Sequence, residues 1–472
     1  MQDINYDAIV IGAGPGGSAC AALLANKGLK TLLLEKNDRP GGKSMSFLKN
    51  GYSYELWPIS GSPTRDNQFG ALITELGLGL KMLPPPGISG VLYKDNATGE
   101  YKILSKDKGS ISEQQAKEIK RFLGDIRSMP APDIDKLDDV TFHDFISRYN
   151  VPPQLYSLQA MDANITFVEP IDLLAASEVV KTRQDFMRSG AGLYFKGGYG
   201  RMVESLASAV MLRGGDVLTN TRVEKIEIKD GRVTGVVTAR GIFKAPIVIS
   251  NAGIQPTVLK LVGPRHFETA YVDYVRKLQP SLGLMGIRYF LDKPLFDLCT
   301  YITYSDDNYI NKQRLADLES GKAPEELLLF MVVPSVFDPE LAPAGKQCVL
   351  ASTLCPADAK YPYNDMLWQK LDNTVNKIWP QVAGHIESKD YYSTADVSAV
   401  SRDHVIAGQG GECIGLGQVV GQCGRHKPSA ISPIKGLFYV GCDAGGYGCG
   451  THHAVDSGVR VSNLVLQYRK NI

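Results

Sequence analysis

The 472-residue sequence carries almost no net charge: 51 Lys and Arg face 50 Asp and Glu, for a formal charge of +1. With no long basic run, it lacks the electrostatic footprint of a nucleic-acid binder, and no nucleic-acid partner is expected. Its eight cysteines include no Cys-x-x-Cys pair. The last four, Cys413, Cys423, Cys442 and Cys449, are separated by nine, eighteen and six residues, which matches no familiar metal or iron–sulfur spacing. No metal is expected, and the thiols are read as reduced in a cytoplasmic chain. The opening Met-Gln-Asp-Ile-Asn-Tyr-Asp lacks the positive start and apolar core of a secretory signal. A membrane span is not expected either. The uncharged run from Ala8 to Ala25 is long enough, but Gly12, Gly14, Pro15, Gly16 and Gly17 interrupt it. Elsewhere the purest apolar run, Leu327 to Val333, has the length of a strand.

What is present is a globular balance, 44% apolar and 21% charged, with material for a large core. At a prior of about 150 residues per domain, the length suggests about three domain-sized units. Glycine is in excess: 48 residues, about one in ten, against a usual level of about 7%. Clusters at Gly12 to Gly17, Gly41-Gly42, Gly197 to Gly200, Gly410-Gly411 and Gly445 to Gly450 suggest places where backbone closely approaches a ligand.

Along the chain, Tyr6 to Ile11 reads as a buried strand, followed by a glycine loop, a helix from Ser18 to Lys27 and a second strand from Thr31 to Glu35. Residues 90–105 read as a hairpin, and Ser110-x-x-Glu113 as a capping box before an amphipathic helix. Met129 to Asp139 reads as a connecting loop. A second unit has a helix from Arg201 to Arg213 and strands near Asp216, Arg222 to Lys229, Arg232 to Ala239 and Ile247 to Ser250. Its Asp230-Gly231 pair is a favoured hairpin turn. Runs at Leu284 to Leu291, Cys299 to Tyr304, Leu327 to Val333 and Val349 to Leu354 suggest a mostly antiparallel sheet. Gly436 to Gly441 reads as a strand and His452 to Tyr468 as a helix.

Gly12-x-Gly14-x-x-Gly17, with Pro15 inside it, follows a buried strand and opens a helix, and Glu35 ends the next strand eighteen residues after Gly17. This is the dinucleotide-binding context: glycines admit a pyrophosphate, the helix N-terminus supplies N–H donors, and the acidic residue accepts from ribose hydroxyls. Lys36, then Gly41, Gly42 and Lys43, extend the site with a second glycine pair and a cation suited to a phosphate or a flavin edge. A helix starting near Gly450 and Thr451 would aim N–H groups at whatever precedes it, favouring the negative pyrimidine edge of a reduced flavin.

With these motifs the chain resembles the FAD-dependent oxidoreductases of the glutathione-reductase-like superfamily, in the branch of phytoene desaturases, carotenoid isomerases and retinol saturases, with amine oxidases more distant. Gly197-Gly198-Tyr199-Gly200-Arg201-Met202-Val203 with Val223-Glu224-Lys225-Ile226 looks like the family's central FAD segment, Ser250-Asn251-Ala252-Gly253 like its ending, and Gly436 to Asp443 like its last FAD strand. The resemblance implies bound FAD, with the Val223 backbone at the adenine, Asn251 and Gly441 in the site, and Asp443 at the ribityl or pyrophosphate part. It also implies hydride transfer at a carbon–carbon bond of an extended apolar molecule, as desaturation, saturation or isomerisation. Only one dinucleotide fingerprint is present, so a separate electron partner is expected: a quinone, oxygen or a soluble carrier.

Two departures stand out. The flavin-proximal tail is polar, with Tyr447, Thr451, His452, His453 and Asp456, and a histidine there would act as general acid or base. Tyr54-Glu55-Leu56-Trp57-Pro58 replaces the Phe-Asp-x-Gly of relatives at the substrate-side wall. Tyr447, His452 and His453 are therefore the candidate catalytic residues.

The expected fold is α/β: a Rossmann-like FAD-binding domain (1–65, 195–255 and 400–472) interleaved with an α+β substrate domain (66–194 and 256–399) built on a mostly antiparallel sheet. The three units become two lobes because FAD segments recur at both ends and in the middle. Four glycine clusters, all but Gly410-Gly411, are read as approaches to one FAD. The expected substrate is isoprenoid- or polyene-like, and its apolar nature suggests peripheral membrane contact. A flavin amine oxidase and a non-catalytic flavin-binding protein are the alternatives.

Overall fold

Ala8–Ile11 and Thr31–Leu34 are apolar but for Thr31 and buried on both faces, as strands inside a parallel sheet must be, and they pair with Ile9 opposite Leu32. In this computed structural model, which describes residues 5–60, 67–87, 89–103, 112–190 and 192–470, the helix between them spans Pro15–Asn26. It starts three residues before the expected Ser18 because Pro15 presets a helical φ in the first turn, where a missing N–H costs nothing. Asp216–Leu218 joins outside Thr31–Leu34, while Val248–Ser250 and then Leu437–Tyr439 extend the opposite side. The result is a five-stranded, all-parallel sheet assembled from three distant parts of the chain.

Beside it, Val223–Lys229, Arg232–Thr238 and Gly241–Lys244 form an antiparallel sheet. Asp230 and Gly231 turn the first two strands with φ of 51° and 71°, the left-handed pair such a hairpin demands. The third strand, weakly apolar, was not expected. The helix before this unit spans Tyr199–Leu212.

A seven-stranded sheet runs in the order Ile386–Tyr392, Gly283–Leu291, Gln347–Cys355, Leu329–Val332, Thr300–Tyr304, Gly90–Lys94 and Tyr101–Ile103. All pairs are antiparallel except Thr300–Tyr304 with Gly90–Lys94, so the sheet is mostly antiparallel as expected. Ile386–Tyr392, rich in charged side chains, was not anticipated as a member.

A helical layer with Phe122, Phe142, Phe145 and Val179 at its core covers this lobe. The expected cap Ser110 lies outside the described residues. Helix Glu113–Ser128 is capped by Ser112, whose Oγ accepts from the Gln115 N–H at 3.2 Å while Gln115 Oε1 accepts from the Ser112 N–H at 3.0 Å. The expected loop from Met129 to Asp139 contains a short helix, Ala131–Asp135.

The last helix, Gly450–Arg469, lies on the first. A Cβ on Gly458 would come within 2.8 Å of Ala19 Cβ and the Gly16 oxygen, and one on Gly16 within 2.9 Å of the Ala454 oxygen. Glycine at both positions lets the two backbones meet closely, which brings both helix N-termini to one place.

Candidate functional site

That place is a cavity of about 330 Å³. Four parallel strands end at its rim: Gly12 follows Ala8–Ile11, Glu35 follows Thr31–Leu34, Asn251 follows Val248–Ser250, and Gly441 lies just beyond Leu437–Tyr439. Ligands of open α/β sheets bind at such carboxyl ends. Gly14, Pro15 and Gly16 bring in the N-terminus of the first helix, and Gly450, Thr451 and Ala454 that of the last. Two sets of unpaired N–H groups thus share one space, an arrangement that favours anionic ligands.

Glu35 is buried, its Oε2 accepting from the Ala13 N–H at 2.8 Å and its Oε1 from the Asn37 N–H at 2.9 Å. Burial raises its pKa and these bonds oppose the rise. A carboxylate offers about four lone-pair sites, so acceptor capacity remains for ribose hydroxyls. Asn251 Nδ2 donates to the Gly12 oxygen at 3.2 Å, tying the glycine loop to the third strand end. Lys43 donates to the Glu412 carbonyl at 2.5 Å, and its pKa is lowered by burial against the opposing charge of Glu412.

Arg402, which the sequence pattern did not single out, organises the far side of the cavity. Its Nε lies 2.8 Å from Glu412 Oε1, and its Nη2 lies 2.8 and 2.7 Å from the two Asp443 oxygens. Asp443 also accepts from the Ile254 and Leu416 N–H groups at 2.9 and 3.1 Å. Burial pushes the Asp443 carboxyl up, but Arg402 and these donors outweigh it and hold it below the usual carboxylate range.

Of the expected cofactor residues, Gly12, Gly14, Pro15, Glu35, Gly42, Lys43, Asn251, Gly441, Asp443, Gly450 and Thr451 line the cavity. Gly17, Lys36 and Val223 do not. Gly17 is a packing glycine, since a Cβ there would sit 2.1 Å from the Gly12 oxygen. Lys36 turns away to Asp403 at 3.8 Å, and Val223 pairs with Thr238 in the antiparallel sheet.

None of the expected catalytic residues, Tyr447, His452 and His453, is among those lining the cavity. Thr451 and Ala454, three residues apart, share the cavity face of the last helix, which leaves His452 and His453 off it. His453 is fully buried and packs at Gly446, with its pKa well below the usual histidine value because of burial. His452 lies against Gly448, and burial lowers its pKa as well. Tyr447 is at the surface with Lys427 and Arg460 near its ring, at 4.4 and 4.7 Å from the centroid.

The glycine clusters are corrected too. Gly198 and Gly200 make room for Glu55 and Ser46, whose oxygens a Cβ would meet at 2.7 Å. Of the glycines at 445, 446, 448 and 450, Gly450 alone lines the cavity. Gly410, unassigned from sequence, donates its N–H to Glu412 Oε2 at 2.8 Å, while a Cβ on Gly411 would meet Thr394 Cβ at 2.2 Å.

Trp57, Ile165, Val168, Leu284, Phe330 and Ile414 give the cavity an apolar stretch of wall, with Ser60 and Thr166 also lining it. Val168, β-branched yet left-handed at φ 56°, ends helix Pro153–Phe167 on this wall. Cys413, Cys442 and Cys449 also face the space, and burial pushes each thiol up to about 12. They are therefore neutral at ordinary pH. No group of three or more His, Cys, Asp or Glu side chains among the described residues is placed to hold a metal. No helix among them is long and apolar enough to cross a membrane.

These residues fit FAD: backbone at the glycine-lined strand ends, an acidic acceptor at Glu35, cations at Lys43 and Arg402, and an apolar chamber beyond. Bound there, FAD supplies two-electron redox chemistry.

The profile of the family described as flavin containing amine oxidoreductase matches residues 16–466. The chain is 26% identical over 378 residues to a phytoene desaturase (lycopene-forming) of Pseudescherichia vulneris, covering 74% of this chain and 75% of the relative. It is 24% identical to the human all-trans-retinol 13,14-reductase, covering 98% of this chain and 86% of that one. Among solved structures, an oxidoreductase from Methanosarcina mazei superposes with a TM-score of 0.74 at 19% identity, over 97% of this chain and 99% of the other. A putrescine oxidase superposes at 0.71 and 15% identity, over 98% and 99%, a likeness of fold. The chain belongs to the flavin-containing amine oxidoreductase family and is an FAD-dependent oxidoreductase of the phytoene desaturase-like branch.

Proposed function

We propose that this oxidoreductase acts at a carbon–carbon bond of an apolar, isoprenoid- or polyene-like substrate, by desaturation, saturation or isomerisation. The observation that carries this reading is the chamber itself. Trp57, Ile165, Val168, Leu284, Phe330 and Ile414 make up most of its wall outside the glycine-lined and charged residues. The carboxylates on the cavity are Glu35 and Asp443, the first bonded to backbone N–H groups and the second to Arg402. No free carboxylate among the described lining residues meets an ammonium group, and Tyr447, the aromatic an amine oxidase reading relies on, is outside the cavity. An apolar substrate needs neither.

The division of labour follows from the chemistry of the walls. Gly12, Gly14, Pro15, Glu35, Gly42, Lys43, Asn251, Gly441, Asp443, Gly450 and Thr451 hold the cofactor, while the apolar residues exclude water and orient the chain of the substrate. Segments 1–65, 195–255 and 400–472 form the FAD lobe, and 66–194 with 256–399 the substrate lobe. Electrons pass to or from a quinone, oxygen or a soluble carrier. Delivery of an apolar substrate favours peripheral membrane contact, which sedimentation with liposomes tests.

The function is tested by incubating FAD-loaded protein with linear isoprenoid polyenes and a quinone, then following the change in conjugation by absorption and chromatography. Peroxide formation from alkyl amines, with all polyenes returned unchanged, would overturn the proposal in favour of amine oxidation.

A further inference from the structure

Two aromatic side chains on the cavity differ sharply in exposure. Phe186, on helix Ala176–Ser189, is 38% exposed, so the cavity reaches solvent beside it. Trp57 is 4% exposed and packs into the substrate-lobe core with Leu284, Val168 and Ile414. The cavity wall therefore carries one partly exposed aromatic and one buried indole.

The backbone leading into Trp57 is clamped from both lobes. Glu55 Oε1 accepts from the Tyr194 hydroxyl at 2.7 Å and from the Tyr199 N–H at 3.0 Å, in the space that Gly198 leaves open. One residue on, the Leu56 carbonyl accepts from Arg288 Nη2. Arg288 lies on strand Gly283–Leu291, buried, with its guanidinium 5.0 Å from the Tyr54 ring centroid and 4.4 Å from that of Tyr392. No carboxylate forms an ion pair with it among the described residues. A buried cation costs free energy unless its bonds and ring contacts offset the loss of water, so its use on a single backbone carbonyl marks that carbonyl as a fixed point.

We infer that Trp57 is the blind end of the substrate channel and sets the length of apolar chain accepted, with Glu55 and Arg288 as the positioning residues that hold it. This rests on the apolar substrate class proposed above.

The test uses FAD-loaded protein titrated with linear isoprenoid alcohols that differ by one isoprene unit, with perturbation of the flavin absorption as the readout. A matched series of linear alkyl amines is titrated in parallel. Trp57→Ala is expected to bind at least one longer member that the wild type excludes, and Trp57→Phe to keep the wild-type limit. Arg288→Met is expected to weaken the best wild-type ligand about tenfold, with part of the loss recovered in Arg288→Lys. If Trp57→Ala does not fold, Trp57→Leu carries the same expectation. An unchanged limit in a variant whose FAD content and near-ultraviolet circular dichroism match the wild type overturns the inference, as does the absence of any response to either series. A shifted limit seen with the amines alone keeps the assignment of Trp57 and overturns the proposed substrate class instead.

Discussion

Arg402 and Asp443 face each other at the cavity wall, with one guanidinium nitrogen 2.8 and 2.7 Å from the two carboxylate oxygens. The pair joins a loop without a recognisable motif to the last FAD strand, with Asp443 buried and Arg402 largely shielded from solvent. Removing one partner of such a pair strands the other charge. Asp443→Ala is expected to lower stability by about 3–5 kcal/mol and to reduce bound FAD, as read by thermal unfolding and flavin content.

The same carboxylate has a pH signature. Asp443 is held below its unfolded value, near 3.9 for an ordinary aspartate, so its stabilisation is complete above that pH and is lost as pH falls through the folded value. A wild-type acid loss that is diminished in Asp443→Asn, followed by unfolding midpoints, is the expected outcome.

Glu35 is tested through cofactor affinity. Glu35→Ala removes the acceptor from Ala13 and Asn37 as well as the acidic group at the cavity. FAD binding to refolded apoprotein is expected to weaken by at least about tenfold, the equivalent of one charge-assisted hydrogen bond. Affinity equal to the wild type would remove Glu35 from the site.

His453 has a pH signature in stability. Because its folded pKa is depressed, the unfolded chain takes up a proton below about 6.5 that the folded chain refuses, so stability falls as pH drops below that value. His453→Asn is expected to flatten this dependence in a series of melting temperatures. His452→Ala is expected to leave the pH profile of turnover unchanged, since His452 is off the cavity.

Close packing of the first and last helices is tested by Gly458→Ala, whose added Cβ would meet Ala19 Cβ at 2.8 Å. A loss of about 1–3 kcal/mol and of FAD content is expected. Gly124→Ala, on a helix with open space around the glycine, is expected to be neutral or to stabilise by about 0.5–1 kcal/mol.

The fingerprint loop was legible because its meaning is local. A strand, Gly12, Gly14, the first helix and Glu35 lie within one βαβ unit, and backbone geometry alone brings them together. The antiparallel sheet was legible for a similar reason, as its central strands are mostly apolar. Ile386–Tyr392 escaped notice because its charged side chains hide a strand whose place is set by its neighbour Gly283–Leu291.

By itself the sequence determined the cofactor fold, the glycine approach at Gly12 and Gly14 and the acidic residue at Glu35, because these depend on φ, missing Cβ atoms and neighbours a few residues away. Tertiary structure alone decided which face of the last helix meets the cavity. The contact of Gly16 with Gly458 rotates Thr451 and Ala454 inward and leaves His452 and His453 off that face, and helix-face orientation is a property of what the helix packs against. It likewise brought Arg402 to Asp443, 41 residues away in the chain, and Arg288 to Leu56, 232 residues away, pairings that no local pattern encodes.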